Sequence, residues 1–313
     1  MSFTSNVKSE LLTNKADNCC NLAELSALLK IHGDVHLSSD GLSVEFNTTN
    51  LKIVRKVITF IKELYRIDVD IMSKKQMKLK KNDLYIVTIR NKASQIINEL
   101  GLMNNSDDIM NDPNLLKECC KRAYLRGAFL ASGSINSPKS SSYHLEISTS
   151  TEQDAINIRD LLNFFLLNAK YIKRKRGYIA YIKEAEKIAD FLRVVSAIGG
   201  LLNFEDERIQ RDFVNSITRV MNMEIANQNK TLGAANKQLR SISVLENMLD
   251  MNKLSKSMKE AIELRKENPE ASLQELSEIS GEMFNKIISK SALNHRFRNI
   301  NDLADQIMEN LNE

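Results

Sequence analysis

Residues 19–33, CCNLAELSALLKIHG, align without a gap on residues 119–133, CCKRAYLRGAFLASG, at an offset of 100. Five of the fifteen positions are identical (Cys19/Cys119, Cys20/Cys120, Ala23/Ala123, Leu25/Leu125, Gly33/Gly133), where unrelated segments of average composition share about one. Repetition at a fixed offset commits the chain to two copies of one supersecondary unit. Downstream, 43–48 and 144–149 alternate as strands do. Apolar residues then recur at helical spacing, Leu51, Val54, Ile58, Ile61 and Tyr65 in one copy and Ile156, Ile158, Leu161, Leu162 and Phe165 in the other. A second hairpin follows in each, 67–75 with 83–90 and 169–175 with 178–183, the latter turning at Arg176-Gly177. Closing helices near 92–101 and 184–198 complete the order αββαββα twice. Ala27 and Gly127 lie mid-helix at matching positions, and small residues there let the two repeat helices approach along a pseudo-dyad.

The segments LSALLKIHG (25–33) and LRGAFLASG (125–133) resemble the nonapeptide of LAGLIDADG homing endonucleases, the likeness extending over roughly 15–200. That resemblance implies a carboxylate at the eighth motif position of each copy, the pair binding a divalent metal that activates water. Hard cations need such anionic oxygens. His32 and Ser132 stand there instead, and Asp34, two residues on, has Ser134 as its counterpart. Loss of cutting chemistry is expected, and His32 reads as structural, since no nucleophile or orienting acid accompanies it.

The second hairpins are basic: Lys74, Lys75, Lys78, Lys80 and Lys81 in one copy, Lys170, Lys173, Arg174, Lys175 and Arg176 in the other. Lys74, Lys75, Lys173, Arg174, Lys175 and Arg176 are the candidate DNA-backbone contacts, although strand parity puts charge on both faces and lysine-rich tips also protect sheet edges. With 42% hydrophobic and 27% charged residues the chain has material for packed cores and no sign of general disorder. Its net charge of +4 is a weak pointer to nucleic acid, and the distribution of charge is the stronger one. MSFTSNVKSELL lacks a signal-peptide core and no window reaches the ~18 apolar residues of a membrane span, so a cytoplasmic, nucleoid-associated location without membrane contact is expected. The four cysteines form two adjacent pairs without C-x-x-C spacing; a meeting of the pairs at one metal is set aside on that spacing, and neither metal, cofactor nor disulfide is expected.

A helical run from Arg211, unusually rich in Asn and Gln (Asn227, Gln228, Asn229, Asn236, Gln238 among them), leads to three helical segments after Leu254. The first, near 255–267, ends before Asn268-Pro269. Ser272 and Glu275 make a capping box for a second short helix through Ile279, with Gly281 as the turn. Ser289 caps a third helix, SKSALNHRFRNI, whose Leu293, Phe297 and Ile300 point inward. The candidate DNA-binding residues are Ser289, Lys290, Ser291, Asn294, His295, Arg296 and Arg298, because no acidic residue occurs from Met283 to Ile300 in a module otherwise rich in Glu.

SFTSNVKSEL, CCNLAELSALLKIHGDV, CCKRAYLRGAFLASGSI, and ANQNKTLGAANKQL with SKSALNHRFRNI together resemble the sporulation regulator WhiA family of Gram-positive bacteria. The expected fold class is α+β: a helical segment 1–20, a duplicated αββαββα LAGLIDADG-type domain over 21–200 (repeats 19–101 and 119–198), a helical linker 201–250 and an all-α helix-turn-helix domain 251–313. The resemblance implies a non-enzymatic transcription regulator of sporulation or of cell division and chromosome segregation, with double-stranded DNA and a further transcription or cell-division protein as partners. A metal-dependent endonuclease and a protein-docking scaffold are the competing readings.

Overall fold

The computed structural model describes residues 2–39, 41–75, 83–103, 109–140 and 142–312. The chain divides into two compact units, Met1–Asp212 and Phe213–Glu313.

In the first unit a short helix α1 (Phe3–Leu11) precedes the two repeats. The first comprises α2 (Asn18–His32), β1 (Gly33–Ser38), β2 (Gly41–Thr48), α3 (Leu51–Tyr65), β3 (Asp70–Lys74), β4 (Leu84–Ile89) and α4 (Ala93–Glu99). The second comprises α5 (Glu118–Ser132), β5 (Gly133–Ile135), β6 (Leu145–Thr149), α6 (Glu152–Phe164), β7 (Lys170–Arg174), β8 (Gly177–Ile182) and α7 (Ala185–Val194). Each copy makes a four-stranded antiparallel sheet, in the orders β1-β2-β4-β3 and β5-β6-β8-β7. Alternation decides the faces: Val44, Phe46, Val87 and Ile89 are buried on one side of the first sheet, as are Leu145, Ile147, Ala180 and Ile182 in the second. The β7–β8 connection turns at Lys175-Arg176, one residue earlier than the pattern suggests. Gly177 already opens β8, at φ +115°, where a Cβ would lie 2.3 Å from the Thr149 carbonyl oxygen.

The repeats join through α2 and α5. A Cβ on Gly127 would sit 2.4 Å from the Glu24 carbonyl oxygen and 3.0 Å from the Ala27 Cβ, so the helix backbones touch where the two small residues face each other. Beside that contact the Glu24 carboxylate, only 1% exposed, is held between Arg126 Nε at 2.7 Å and Lys56 Nζ at 2.9 Å. Lys56 also donates to the Leu11 carbonyl at 3.0 Å. One carboxylate thereby ties α1, α2, α3 and α5 together. A charge buried this deeply is tolerable only with such partners, and removing one of them typically costs about 3–5 kcal/mol.

The N-terminal helix is an integral part of this unit. Val7 and Leu11 are fully buried. Thr4 Oγ1 both donates to the Ile135 carbonyl (2.8 Å) and accepts from its N–H (3.0 Å), continuing the edge of β5. The Glu10 carboxylate accepts from the N–H groups of Gly199 and Gly200, at 2.7 and 2.8 Å, and so caps the start of the 51-residue helix α8 (Ile198–Met248).

The second unit takes the part of α8 from Phe213 onward together with α9 (Lys256–Glu267), α10 (Leu273–Phe284) and α11 (Lys290–Asn312). Ile242 and Leu245 of α8 pack with Leu254, Ile262, Leu264, Leu276, Leu293, Phe297 and Ile300 in its core.

Replacing Gly127 by Ala tests the α2–α5 contact. Helix propensity alone would favour Ala by about 1 kcal/mol, but the obstacle is backbone and cannot step aside, and overpacking of this kind costs about 1–3 kcal/mol. A lower urea midpoint for Gly127→Ala, and a still lower one for Gly127→Leu, is expected by circular dichroism of the full chain; a raised midpoint for Ala would refute the close contact.

Candidate nucleic-acid interface

The helix-turn-helix is built from α10, residues 285–289 and α11. The capping box is present: Ser272 Oγ accepts from the Glu275 N–H, and the Glu275 carboxylate accepts from the Ser272 N–H at 2.7 Å. The helix it opens runs five residues beyond Ile279, and Gly281 lies inside it. The turn comes at Asn285, which is left-handed at φ 51°. Gly281 matters for space, since a Cβ there would lie 3.2 Å from Ile287 Cγ1, where the chain folds back over α10. Two buried serines hold that return. Ser277 Oγ donates to the Ile288 carbonyl (2.7 Å), and Ser280 Oγ accepts from the Ile288 N–H (2.7 Å) while donating to the Ser277 carbonyl (2.6 Å).

At the end of α9, before the loop that leads into α10, lies Arg265, 2% exposed. Its Nη1 donates to the Ala271 (2.6 Å) and Asn268 (3.1 Å) carbonyls, its Nε to Gln238 Oε1 (2.9 Å), and its guanidinium lies 5.4 Å from the Phe297 ring centroid. Gln238 is thus one of the amide side chains of the Asn- and Gln-rich run, spent inside the module on the residue that fixes the α9–α10 loop.

Ser289 caps α11, its Oγ accepting from the Ala292 N–H at 3.3 Å. Leu293, Phe297 and Ile300 are buried as expected. Lys290, Ser291, Asn294, His295 and Arg298 are exposed along the opposite side, where successive three- and four-residue steps make one stripe. Arg296 departs from that set. It lies three residues from Leu293 and four from Ile300, on the inner flank, and its Nη1 donates to Glu260 Oε2 (3.0 Å) and the Ser257 carbonyl (3.1 Å) of α9. Its charge is neutralised and its position makes it a strut between helices.

In the second hairpins Lys74, Lys75, Lys173, Arg174, Lys175 and Arg176 are all exposed, while Lys78, Lys80 and Lys81 lie outside the described residues. Register puts Lys170, Ile172 and Arg174 on the face away from the helices, and Lys173 on the other, its Nζ 5.8 Å from the Tyr178 ring centroid. Acids share the outward faces. Asp34, Glu45 and Asp70 lie there in the first sheet, Glu45 3.5 Å from His36 and Asp70 bound to Arg90 at 2.5 Å; Glu146 lies there in the second, 3.0 Å from His144. Charge on these sheets is mixed, in contrast with the acid-free stretch from Met283 to Ile300.

The two motif feet are occupied by hydrogen bonds to backbone. His32 Nε2 donates to the Ala131 carbonyl (3.2 Å) across the helix pair, and Ser132 Oγ to the Ser148 carbonyl (2.6 Å). Asp34 accepts from Asn47 Nδ2 at 3.3 Å. Burial lowers the His32 pKa, and the Lys8 ammonium beside it acts the same way, against the opposing Ala131 carbonyl and Asp34. That ammonium, itself pushed down to about 8 by burial, also disfavours a divalent cation at this place.

At the other end of α2 and α5 the two cysteine pairs do meet. The Sγ atoms of Cys19, Cys20, Cys119 and Cys120 all lie within 4.8 Å of one another, with no disulfide among them. Burial pushes the Cys120 thiol up to about 12 and raises that of Cys20 as well.

A duplicated LAGLIDADG-like scaffold without its paired carboxylates, carrying a helix-turn-helix unit, defines the class. Three family descriptions match in sequence order: a WhiA N-terminal LAGLIDADG-like domain over 18–103, a WhiA LAGLIDADG-like domain over 121–214 and a WhiA C-terminal HTH domain over 217–304. The probable cell division protein WhiA of Brevibacillus brevis is 44% identical over 317 residues, covering 100% of this chain and 99% of the relative. That of Oceanobacillus iheyensis is 43% identical over 310, covering 98% of each. The full-length DUF199/WhiA crystal structure from Thermatoga maritima superposes with a TM-score of 0.59 at 23% identity, covering 98% of this chain and 99% of that one, and supports the fold. The chain belongs to the WhiA family.

His32 makes a pH prediction. Its folded pKa lies below the ordinary 6.5, so the unfolded chain binds the proton more readily. The associated stability is therefore present above pH 6.5 and lost as pH falls through the folded value. Urea midpoints should decline for the native chain between about pH 7.5 and 5.5, and less steeply for His32→Gln; identical slopes would show that His32 is not buried at the seam.

Proposed function

We propose that this chain is a non-catalytic regulator of transcription that holds double-stranded DNA through the exposed stripe of α11. The observation that carries this reading is the pairing of a firmly braced turn with the first three turns of α11, which bear Lys290, Ser291, Asn294, His295 and Arg298 and have no acid before Asp302. Ser289 and Lys290, at the helix start, suit a phosphate, which fixes register on the duplex. Asn294 and Arg298 have the donor and acceptor geometry to read purine edges in the major groove. The exposed cations of the β7–β8 tip supply further backbone attraction, while Asp34, Glu45, Asp70 and Glu146 make the sheet faces poor cradles for a polyanion.

Absence of cutting is supported by residue chemistry at the motif feet. An imidazole donating to a carbonyl and a hydroxyl donating to another replace the anionic oxygens that a hydrolytic metal pair requires. The relatives' name, probable cell division protein, and the family's link to sporulation suggest that the controlled genes serve cell division, chromosome segregation or sporulation, at the nucleoid in the cytoplasm.

The test is a set of binding curves on sites selected from random duplex DNA by the full chain. Asn294→Ala and Arg298→Ala should each weaken the selected site about 5- to 150-fold, the equivalent of ~1–3 kcal/mol per lost base contact, and flatten discrimination against scrambled duplex. Arg296→Ala should instead lower the unfolding midpoint and leave base preference unchanged. Undiminished selectivity in both Asn294→Ala and Arg298→Ala would reject the assignment. Supercoiled plasmid incubated with the chain and magnesium should stay intact; nicking that vanishes in His32→Ala would overturn the non-catalytic reading.

A further inference from the structure

Cys19 and Cys20 are the second and third residues of α2, and Cys119 and Cys120 hold the same two positions in α5. Because the helices face each other across the repeat axis, each pair contributes equivalently to one cluster. Tetrahedral thiolate coordination with metal–sulfur bonds of about 2.3 Å needs sulfurs about 3.8 Å apart. Here all four lie within 4.8 Å, and Cys119 and Cys120, adjacent in sequence, present their Sγ atoms 4.0 Å apart. Contraction by no more than about 1 Å on any edge closes the shell.

The surroundings suit the charge that such a shell carries. Four thiolates around one divalent ion sum to −2, and two helix N-termini point at it, each the equivalent of about half a positive charge. Neither helix start is capped by a side chain: Asp17 and Lys117 occupy the cap positions and neither makes the bond. Lys117, at the cap position of α5, adds a full cation beside the cluster. Entry is open, since Cys119 is exposed and Cys19 half-buried, while Cys20 and Cys120 form the closed inner side. A sulfur-only tetrahedron selects a soft d10 cation over calcium or magnesium.

We propose that Cys19, Cys20, Cys119 and Cys120 bind one zinc(II) ion that staples the two repeats together at the head of the α2–α5 pair. The four thiols pass their protons to solvent as four metal–sulfur bonds form, with no change of oxidation state. This site lies at the opposite end of both helices from His32 and Ser132 and is independent of DNA reading. C-x-x-C spacing, the usual sequence mark of such sites, is absent because each helix supplies one adjacent pair and the fold supplies the other.

The full chain, reduced and freed of metal, should be titrated with cobalt(II) as the spectroscopic probe. Sulfur-to-cobalt charge transfer together with tetrahedral ligand-field absorption should saturate at one ion per chain, and one equivalent of zinc should bleach both. Zinc should raise the thermal midpoint of the native chain. The double variant Cys19→Ser with Cys119→Ser, which changes the two solvent-reaching thiols and spares the inner pair, should lose the spectrum and the thermal shift while keeping its helical circular dichroism. The titration of the unmodified chain stands even if that variant misfolds. Absence of the charge-transfer band, a cobalt spectrum of oxygen and nitrogen ligation, or undiminished cobalt binding by the folded variant would overturn the proposal. So would a chain in which dioxygen takes two electrons and two protons from the cluster to leave a disulfide and which, when reduced again, takes up no metal.

Discussion

The contact on which the first unit depends is the meeting of two helix backbones at Gly127. With the Glu24 carbonyl 2.4 Å from where a Cβ would be, no side chain can stand between α2 and α5 there. Everything else is arranged around that closeness. Cys20 and Cys120 are buried at one end of the seam; His32 reaches across to the Ala131 carbonyl at the other; Glu24 sits between and gathers one cation each from α3 and α5. Two sheets hang from this seam, each with a buried face against the helices and a mixed, solvated face away from them.

The second unit solves a different problem, the bracing of a short turn so that one helix face is offered outward in a fixed orientation. Arg265 fastens the approach to α10, Ser277 and Ser280 fasten the exit, and Arg296 props α11 against α9. None of these four needs to touch a ligand. Their joint effect is to hold the α11 stripe in one geometry before anything binds, which spares the ordering cost that a flexible reading element would bear on association.

Much of this was legible in the sequence, and for specific reasons. The repeat, the Ala27/Gly127 pairing, both capping residues of the C-terminal unit and the inward stripe Leu293, Phe297 and Ile300 are local or periodic signals, and they carried directly into helices and contacts. What stayed hidden was set by tertiary structure. Gly281 reads as a turn because glycine usually breaks helices, yet it serves to admit Ile287. Arg296 reads as a free cation because nothing nearby in sequence marks Glu260 as its partner. Arg265 and Glu24 gave no signal, a charged residue in a helix being solvated by default. The cysteine pairs lack the C-x-x-C spacing of a metal site, and spacing along the chain says nothing about a distance between two helices. A helical wheel would have found Arg296, since its separation from Leu293 and Ile300 places it beside the apolar stripe.

The bond from Glu10 to the amides of Gly199 and Gly200 bears on how the chain is made. Its partners are separated by 189 and 190 residues. At roughly 5–20 residues per second, a ribosome delivers the second partner about 10–40 s after the first. During that interval the Glu10 carboxylate lacks its amide donors and the first repeat has no mate for the exposed side of α2. Each copy buries its side of the α2–α5 seam only against the other, so the apolar face of the first repeat stays open until the second has been synthesised.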